Sequence, residues 1–172
     1  EQAVAEPVQA VEPAESLSIA WLEGTATKRA RLAQLEQSQR APQLQLHDWI
    51  NSEPLTLQSL KGKIVVLDFW ATWCKPCMTA MPHTIELYEK FKDDGVVVIG
   101  VCAEKGAEKM KKVAKRYKIP YPVAADVNER TFAAYRADSR PDYYVIDRLG
   151  RLRAADCRTV SLELVIRKLL SE

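Results

Sequence analysis

The chain has 172 residues, with 25 lysines and arginines against 23 aspartates and glutamates, so its formal net charge is only +2. This length suits one domain plus an appendage, and the small net charge argues against a nucleic-acid or acidic-polymer partner. Four cysteines are too few for a disulfide scaffold of this length, and no apolar run approaches the roughly 20 residues that cross a bilayer. Because the chain starts at Glu1 and not at a methionine, we expect a processed or truncated product.

The N-terminal part, residues 1–41, is predicted to lie outside the compact domain, which the pattern assigns to residues 42–172. Residues 1–15 repeat Glu, Gln, Ala, Val and Pro without periodicity and without aromatic residues. Such a composition cannot bury enough apolar surface to fold and is typical of a disordered tether.

Two short segments link this tether to the domain. Residues 16–24 hold several large apolar side chains, which favours either a helical turn docked loosely on the domain or a patch that binds a partner. Residues 27–40 are predicted to form a helix with Thr25 or Thr27 as its cap. Its low apolar content favours a position on the surface.

The domain itself is expected to open with a small β-hairpin. Residues 43–47 and 54–57 alternate polar and apolar side chains, as strands with one buried face do. Residues 48–53 lie between them and suit a connecting loop.

The most informative stretch is 64–77. Its first half is a nearly continuous run of β-branched, aliphatic and aromatic residues, which predicts a strand buried on both faces of a parallel sheet. Its second half is a C-x-x-C turn formed by Cys74 and Cys77, followed at once by the apolar spacing of a helix. Pro76 suits the first turn of that helix, where its missing N–H costs nothing.

The position of the two cysteines predicts their chemistry. A helix start has unpaired N–H groups and a partial positive charge, and both stabilise a thiolate. We expect Cys74 to be the exposed attacking thiolate, with the cation of Lys75 beside it, and Cys77 to be the more buried thiol. Cys77 would then attack the mixed disulfide and release the partner.

The rest of the chain is predicted to alternate strands and helices after a helix stop at Asp94-Gly95. A strand over 96–101 completes a right-handed βαβ unit, and a hairpin turn at 148–150 joins the last two strands. The remaining segments are a basic helix over 105–118, a strand over 121–125, a helix over 128–135, strands over 142–147 and 151–155, and a final helix to Leu170 capped by Thr159 or Ser161.

The segment Asp68-Phe69-Trp70-Ala71-Thr72-Trp73-Cys74-Lys75-Pro76-Cys77 resembles the active-site segment of the thioredoxin family. The longer frame, with Leu60-Lys61-Gly62-Lys63, Pro82 and the late segment 144–150, is similar to its TlpA/ResA-like extracytoplasmic branch over residues 41–172. The resemblance implies an α/β thioredoxin fold, in which helices flank a central mixed sheet and an extra α/β insertion precedes a cis-proline.

The same resemblance implies a function and partners. The chain would be a thiol–disulfide oxidoreductase, most naturally a reductase of protein disulfides, with no cofactor and with a membrane-bound electron donor. It would act as a monomer in an extracytoplasmic compartment, either periplasmic or tethered to a membrane.

Individual roles carry over at matching positions. Asp68 matches a buried aspartate that relays a proton to the second cysteine, although many TlpA/ResA-like proteins have an asparagine there; it could also be an ordinary strand residue. Pro141 matches the cis-proline, so the Arg140–Pro141 bond is expected to be cis and packed on the C-x-x-C turn, where the backbone of Arg140 would pair with substrate. Trp73 would shape this surface.

Three departures from the family bear on the partner. Arg140 and Asp142 are charged, whereas the family usually carries uncharged or hydroxyl residues beside the cis-proline. Ala80 stands where ResA-like proteins often have a glutamate. The charged residues Arg140 and Asp142 leave the identity of the partner open, and Ala80 argues against an acid-tuned specialist in haem maturation.

Other readings remain open at this stage. A zinc site would need two ligands besides Cys74 and Cys77, and the candidates are scattered: Cys102, Cys157, His47 and His83. A thiol peroxidase or a non-catalytic binding module that uses residues 16–40 are the other functional classes. Cys102 and Cys157 should be half-buried free thiols, because two strands separate them and a disulfide needs Cα atoms within about 7 Å.

Overall fold

The computed structural model describes residues 15–38 and 40–172. In this part of the chain six strands form one mixed sheet in the order β1-β4-β3-β2-β5-β6. The strands are β1 (Leu46–Ile50), β2 (Ile64–Trp70), β3 (Val96–Cys102), β4 (Val123–Asp126), β5 (Asp142–Ile146) and β6 (Leu152–Cys157). The helices are α1 (Ala26–Glu36), α2 (Lys75–Phe91), α3 (Met110–Tyr117), α4 (Arg130–Ala134) and α5 (Leu162–Leu170). The predicted α/β class with a mixed central sheet is therefore confirmed.

Strand β2 is the centre of the sheet. It pairs in parallel with β3 and antiparallel with β5, and each of its residues is buried. Its alternate side chains enter two apolar layers, since successive residues of a strand point to opposite faces. One layer, here called the α2 layer, contains Trp70 with side chains of α2, α3 and α5; the other, the α1 layer, contains Phe69 with side chains of α1 and α4.

The unit β2–α2–β3 places the cysteines at the end of the central strand. Helix α2 begins at Lys75, directly after Cys74, and continues through Phe91. A short 3₁₀ turn follows and ends at Gly95, whose φ of 85° is left-handed, a conformation that glycine adopts at little cost. The predicted strand, helix, glycine stop and second strand are all confirmed.

The predicted N-terminal β-hairpin is wrong. Only β1 forms, and it pairs antiparallel with β4 and not with residues 54–57, which are not in a strand. Two causes are visible. Pro54 lacks the N–H that a β-ladder needs. The side chain of Asn51 donates hydrogen bonds to the carbonyls of Ile119 and Tyr121 at 2.8 and 3.0 Å, and these bonds fix the end of β1 near β4.

The segment between β3 and β5 contains α3, β4 and α4, which is the α/β insertion that was expected before Pro141. The final helix α5 also forms, but its predicted cap is wrong. Ser161 occupies the N-cap position with a backbone in the right-handed helical region, and neither its hydroxyl nor that of Thr159 caps a helix.

The N-terminal segment from residue 15 lies against the edge strand β6. Leu22 forms a β-bridge with Cys157, and Thr25 caps α1 by accepting a hydrogen bond from the Lys28 backbone at 3.3 Å, as predicted. This helix lies on the surface, as expected, with only Arg29 and Leu32 buried, and the Leu32 side chain enters the α1 layer. The predicted tether falls almost entirely on residues 1–14, which lie outside the described residues, and the boundary near Pro42 stays a prediction.

Candidate active site

The two cysteines of the C-x-x-C turn are joined by a disulfide at the start of α2. The sulfur–sulfur distance is 2.11 Å and the Cα atoms are 5.3 Å apart. Cys74 is the N-cap residue, and the backbone N–H of Cys77 donates to the Sγ of Cys74 at 3.2 Å. This N–H belongs to the first turn of the helix, so the same donor can stabilise a thiolate on Cys74 after reduction.

The two sulfurs differ less in exposure than the sequence suggested. Cys74 is 5% exposed and Cys77 is 2% exposed. The order is as predicted, but Cys74 is not an exposed residue. The loop before β5 explains this, because the carbonyl oxygen of Arg140 lies 3.5 Å from the Sγ of Cys74.

The loop at Arg140 faces the disulfide through its backbone. The Arg140–Pro141 peptide bond is cis. The guanidinium of Arg140 stacks 3.9 Å from the ring centre of Phe132 and pairs with the carboxylate of Glu129. The side chain is therefore held in the insertion, while the carbonyl is directed at Cys74.

On the other side of the disulfide, Trp73 forms an exposed aromatic rim. Its side chain is 59% exposed, and its indole N–H donates to the carbonyl of Lys105 at 2.9 Å. The hydroxyl of Thr72 donates to the carbonyl of Gly106 at 2.8 Å. Gly106 has a φ of +89°, and a Cβ there would lie 2.6 Å from the Oγ1 of Thr72, so this close approach requires glycine.

Asp68 is the buried acid of the site. It is 3% exposed in β2, opposite Tyr143 and Gly100 on the neighbouring strands. It lies two residues before Trp70, on the same face of β2. Its carboxyl therefore points into the α2 layer, which also holds Cys77. Burial raises the pKa of Asp68 to about 7, and its Oδ1 has no hydrogen-bond partner in the protein.

Sequence reasoning missed a group of residues that ties the Arg140 loop to the rim. The carboxylate of Glu129 accepts a hydrogen bond from the backbone N–H of Glu104 at 2.8 Å, and the carboxylate of Glu104 accepts one from Asn128 at 2.6 Å. Both Asn128 and Glu129 have left-handed φ angles, 49° and 57°. No motif marks these residues, because their roles depend on pairings across 24 to 25 positions of the chain.

The other two cysteines are free and buried, and β2 and β5 separate their strands, so the prediction that they are not bonded to each other is confirmed. Burial raises the pKa of the Cys102 and Cys157 thiols to about 12. Thiols with such a pKa are almost wholly protonated near neutral pH and react slowly.

Within residues 15–38 and 40–172, no group of three or more His, Cys, Asp and Glu side chains is arranged to hold a metal ion. The scattered zinc candidates of the sequence do not come together there. Among the helices of the same residues, none is long and apolar enough to cross a membrane.

Comparison with known proteins agrees with this geometry. The model of the AhpC/TSA family matches residues 38–155. The chain belongs to the AhpC/TSA family. Within this family it is similar to the thiol-disulfide oxidoreductase ResA of Bacillus thuringiensis subsp. konkukian, with 34% identity over 130 residues, 76% of this chain and 73% of the relative.

Two further comparisons concern a second relative and a solved structure. The chain is 40% identical over 130 residues to the protein DipZ of Mycobacterium bovis, covering 70% of this chain. The chain spans only 19% of the length of that relative. Among solved structures, a thioredoxin-like superfamily protein superposes with a TM-score of 0.71 and 30% identity, covering 78% of this chain and 98% of the other. The fold is thus thioredoxin-like, as the resemblance implied.

Proposed function

We propose that this chain is a thiol–disulfide oxidoreductase that reduces disulfides in other proteins through Cys74 and Cys77. The observation that carries the proposal is the Cys74–Cys77 disulfide at the start of α2, with the Sγ of Cys74 3.5 Å from the Arg140 carbonyl oxygen. The similarity to a relative named thiol-disulfide oxidoreductase supports it.

In the first step, reduced Cys74 acts as a thiolate and attacks one sulfur of the substrate disulfide. A Cys74–substrate sulfur bond forms, the substrate disulfide bond breaks, and the second substrate sulfur leaves with the electron pair and takes up a proton. In the disulfide form the N–H of Cys77 lies 3.2 Å from the Cys74 sulfur. In the reduced form the same N–H stabilises the attacking anion. Pro76 and Lys75 complete the turn, with Pro76 fixing the helix start and Lys75 adding an exposed cation.

In the second step, Cys77 loses its proton and attacks the Sγ of Cys74. The Cys74–Cys77 disulfide forms, and the substrate leaves as a dithiol that carries two electrons and two protons. Asp68 serves as the proton acceptor, because a carboxyl whose pKa is about 7 changes charge near neutral pH. The backbone of Arg140 beside Pro141 holds the substrate chain in extended form across the disulfide, with Trp73 as the opposite wall.

A dithiol donor must reduce the pair again after each turnover. The resemblance to the TlpA/ResA-like branch supports a membrane-bound donor and an extracytoplasmic location for the chain, acting as a monomer. The donor, the location and the monomeric state all belong to this proposal.

The test measures the rate at which the protein, supplied with a dithiol donor, reduces the disulfides of insulin. Cys74→Ser abolishes the reaction, since no first attack is possible. Cys77→Ser accumulates a mixed disulfide through Cys74, which mass spectrometry of alkylated peptides identifies. Cys157→Ser is the matched control, because it removes a buried thiol in β6 and leaves the reaction intact.

Other outcomes would assign a different class. Trapping through Cys77 in Cys74→Ser would reverse the two cysteine roles. Peroxide turnover without reduction of protein disulfides would identify a thiol peroxidase. A reduced Cys74 that resists iodoacetamide at pH 7 would identify a non-catalytic binding module.

A further inference from the structure

One exposed surface carries a strong charge that the net charge of the chain conceals. The outer side of α3 and the residues that flank it display six exposed cations. This surface, called here the basic face, consists of Lys109, Lys111, Lys112, Lys115, Arg116 and Lys118. The inner side of the same helix is apolar, with Met110 and Ala114 buried in the α2 layer.

The cations of the basic face form no ion pair within the described part of the chain. Arg116 contacts only the ring of Tyr117, at 5.8 Å. Helix α5 differs, because its cations pair with carboxylates: Lys168 lies 2.6 Å from Glu15 and Arg167 lies 2.8 Å from Glu163. Other exposed cations, such as Lys61 and Lys63, also lack an ion pair in this part of the chain, but the basic face gathers six of them on one helix and the residues that flank it.

The cations of the basic face repel one another along the helix that bears them. The first turn of α3 contains no acidic residue, so Lys111 and Lys112 oppose the positive end of the helix dipole, whereas Lys115 and Arg116 in the last turn interact favourably with its negative end. Lys111 and Lys115, and likewise Lys112 and Arg116, are like charges four residues apart, which destabilise a helix by a few tenths of a kcal/mol per pair. No ion pair within the described residues relieves this repulsion, and an acidic surface of a partner would.

The basic face begins at the rim of the active site. The loop that leads into it is fastened to the turn before Cys74 by the Trp73–Lys105 and Thr72–Gly106 hydrogen bonds, 2.9 and 2.8 Å long. Lys105 itself is exposed. A partner whose disulfide reaches Cys74 past Trp73 would therefore meet Lys105 first and the basic face next.

Resting on the proposed function, we propose that the physiological substrate is a disulfide protein with an acidic surface beside its disulfide, which docks on the basic face. Complementary charges raise the rate of encounter by roughly 10- to 1,000-fold at low salt. The preference would thus reside in the association rate and in kcat/KM. An anionic membrane would also meet such a face, but it would not bring a disulfide to the Trp73 rim, so the protein partner is favoured.

The test uses two synthetic peptides that share one disulfide loop and differ only in their flanks, four glutamates in one and four lysines in the other. Wild-type reduced protein is expected to reduce the acidic peptide at least tenfold faster in kcat/KM at 20 mM salt, and the ratio should fall towards one at 0.5 M as screening shortens the range of the charges. Lys109→Glu with Lys112→Glu should invert the ratio.

Lys61→Glu with Lys63→Glu is the matched control, because it makes the same change of charge at two exposed lysines before β2, at the opposite end of the sheet from Cys74. It should keep the wild-type ratio. Equal rates for the two peptides, or an equal fall in both double variants, overturn the inference, as does binding of phosphatidylserine vesicles through the same lysines with no preference between peptides. Failure of wild type to reduce either peptide would instead refute the proposed function.

Discussion

The burial of Asp68 is unfavourable for folding, and this supports its proposed role as a proton acceptor. Its neighbours in β2 are apolar and the strand is buried on both faces, so a carboxylate there loses its hydration without gaining a charged partner. The sequence exposed this conflict directly, because an aspartate interrupts a hydrophobic run. The raised pKa and the lack of a partner for its Oδ1 agree with that reading.

We expect Asp68→Asn to slow the attack of Cys77 on the mixed disulfide, because an amide cannot accept the thiol proton. General base catalysis contributes about 100-fold or more, so the release step should slow by at least roughly tenfold near pH 7. In wild type its rate should rise as Asp68 deprotonates through pH 7, and this inflection should vanish in the variant. Rapid-quench measurement of the mixed disulfide from pH 5 to 9 checks both.

Asp142→Asn is the control for this experiment, since it makes the same change one strand away on the opposite face of the sheet. It should keep the inflection near pH 7. An unaltered pH profile in Asp68→Asn would leave Asp68 as a structural residue only.

The surroundings of Arg140 show the limit of reasoning from single residues. The sequence placed Arg140 beside Pro141 at the C-x-x-C turn, and the structure brings them together there. No motif in the sequence indicated that the guanidinium of Arg140 pairs with Glu129. That pairing exists only because the insertion folds back over the active site.

At the scale of elements, the helices and buried strands were predictable, and the pairing of the edge strand β1 was not. Strand β2 and helix α2 could be predicted because burial on both faces and a one-sided apolar stripe leave distinct patterns. Strand β1 has an edge position with half-buried residues, and its partner is set by contacts with β4 that no local pattern encodes. The predicted hairpin failed for this reason.

The attachment of α1 to β6 was likewise not predictable from a local pattern, because it depends on buried charges. The guanidinium of Arg29 donates to the carbonyl of Ala155 at 2.6 Å. The ammonium of Lys28 lies 2.6 Å from Asp138 and also pairs with Asp156. Burial, and then the neighbouring Asp156, raises the pKa of Asp142, so Lys28 is the cation that compensates a crowded pair of carboxyls behind the Arg140 loop.

Lys28→Met is therefore expected to destabilise the protein by about 2–4 kcal/mol at pH 7, because removing one partner of a buried ion pair leaves the other uncompensated. The value lies toward the low end since the Lys28 side chain is 18% exposed. Adding Asp156→Asn should recover most of the loss, as asparagine tolerates the left-handed φ of 56° at that position. Urea unfolding of the single and double variants measures this.

Arg31→Met on the same helix provides the comparison, because Arg31 is half exposed and lies 3.8 Å from Asp138. Its loss should be below about 1 kcal/mol. A Lys28 variant no less stable than the Arg31 variant would mean that α1 is held by apolar packing alone.

On the scale of the whole molecule, each face of the sheet contains a buried acid whose pKa is raised by folding. Asp68 points into the α2 layer. Asp142 lies two residues before Tyr144 on the same face of β5, and it points into the α1 layer. Both have raised pKa values because of burial. The native state thus binds protons that the unfolded chain, with ordinary aspartates near pH 4, has released.

The sign of the resulting pH dependence follows from linkage: where the native state binds more protons, stability falls as pH rises. We expect the free energy of unfolding of the oxidised protein to decrease from about pH 4 upward. Asp68 contributes up to pH 7, where its pKa lies, and Asp142 continues the decline above that. At about 1.4 kcal/mol per unit of pKa shift, the Asp68 part is at most about 4 kcal/mol.

Urea unfolding at intervals from pH 4 to pH 9 tests this against three variants. Asp68→Asn should be more stable than wild type above pH 7 and equal to it near pH 4, apart from a constant offset for the amide. Asp142→Asn should reduce the slope at higher pH, and the curve of the double variant should be flatter than that of either single variant. Because the two side chains lie on opposite faces of the sheet, their effects should add. An Asp68→Asn curve that runs parallel to wild type would show that the carboxyl is ionised in the native protein and that its burial has been offset by a partner.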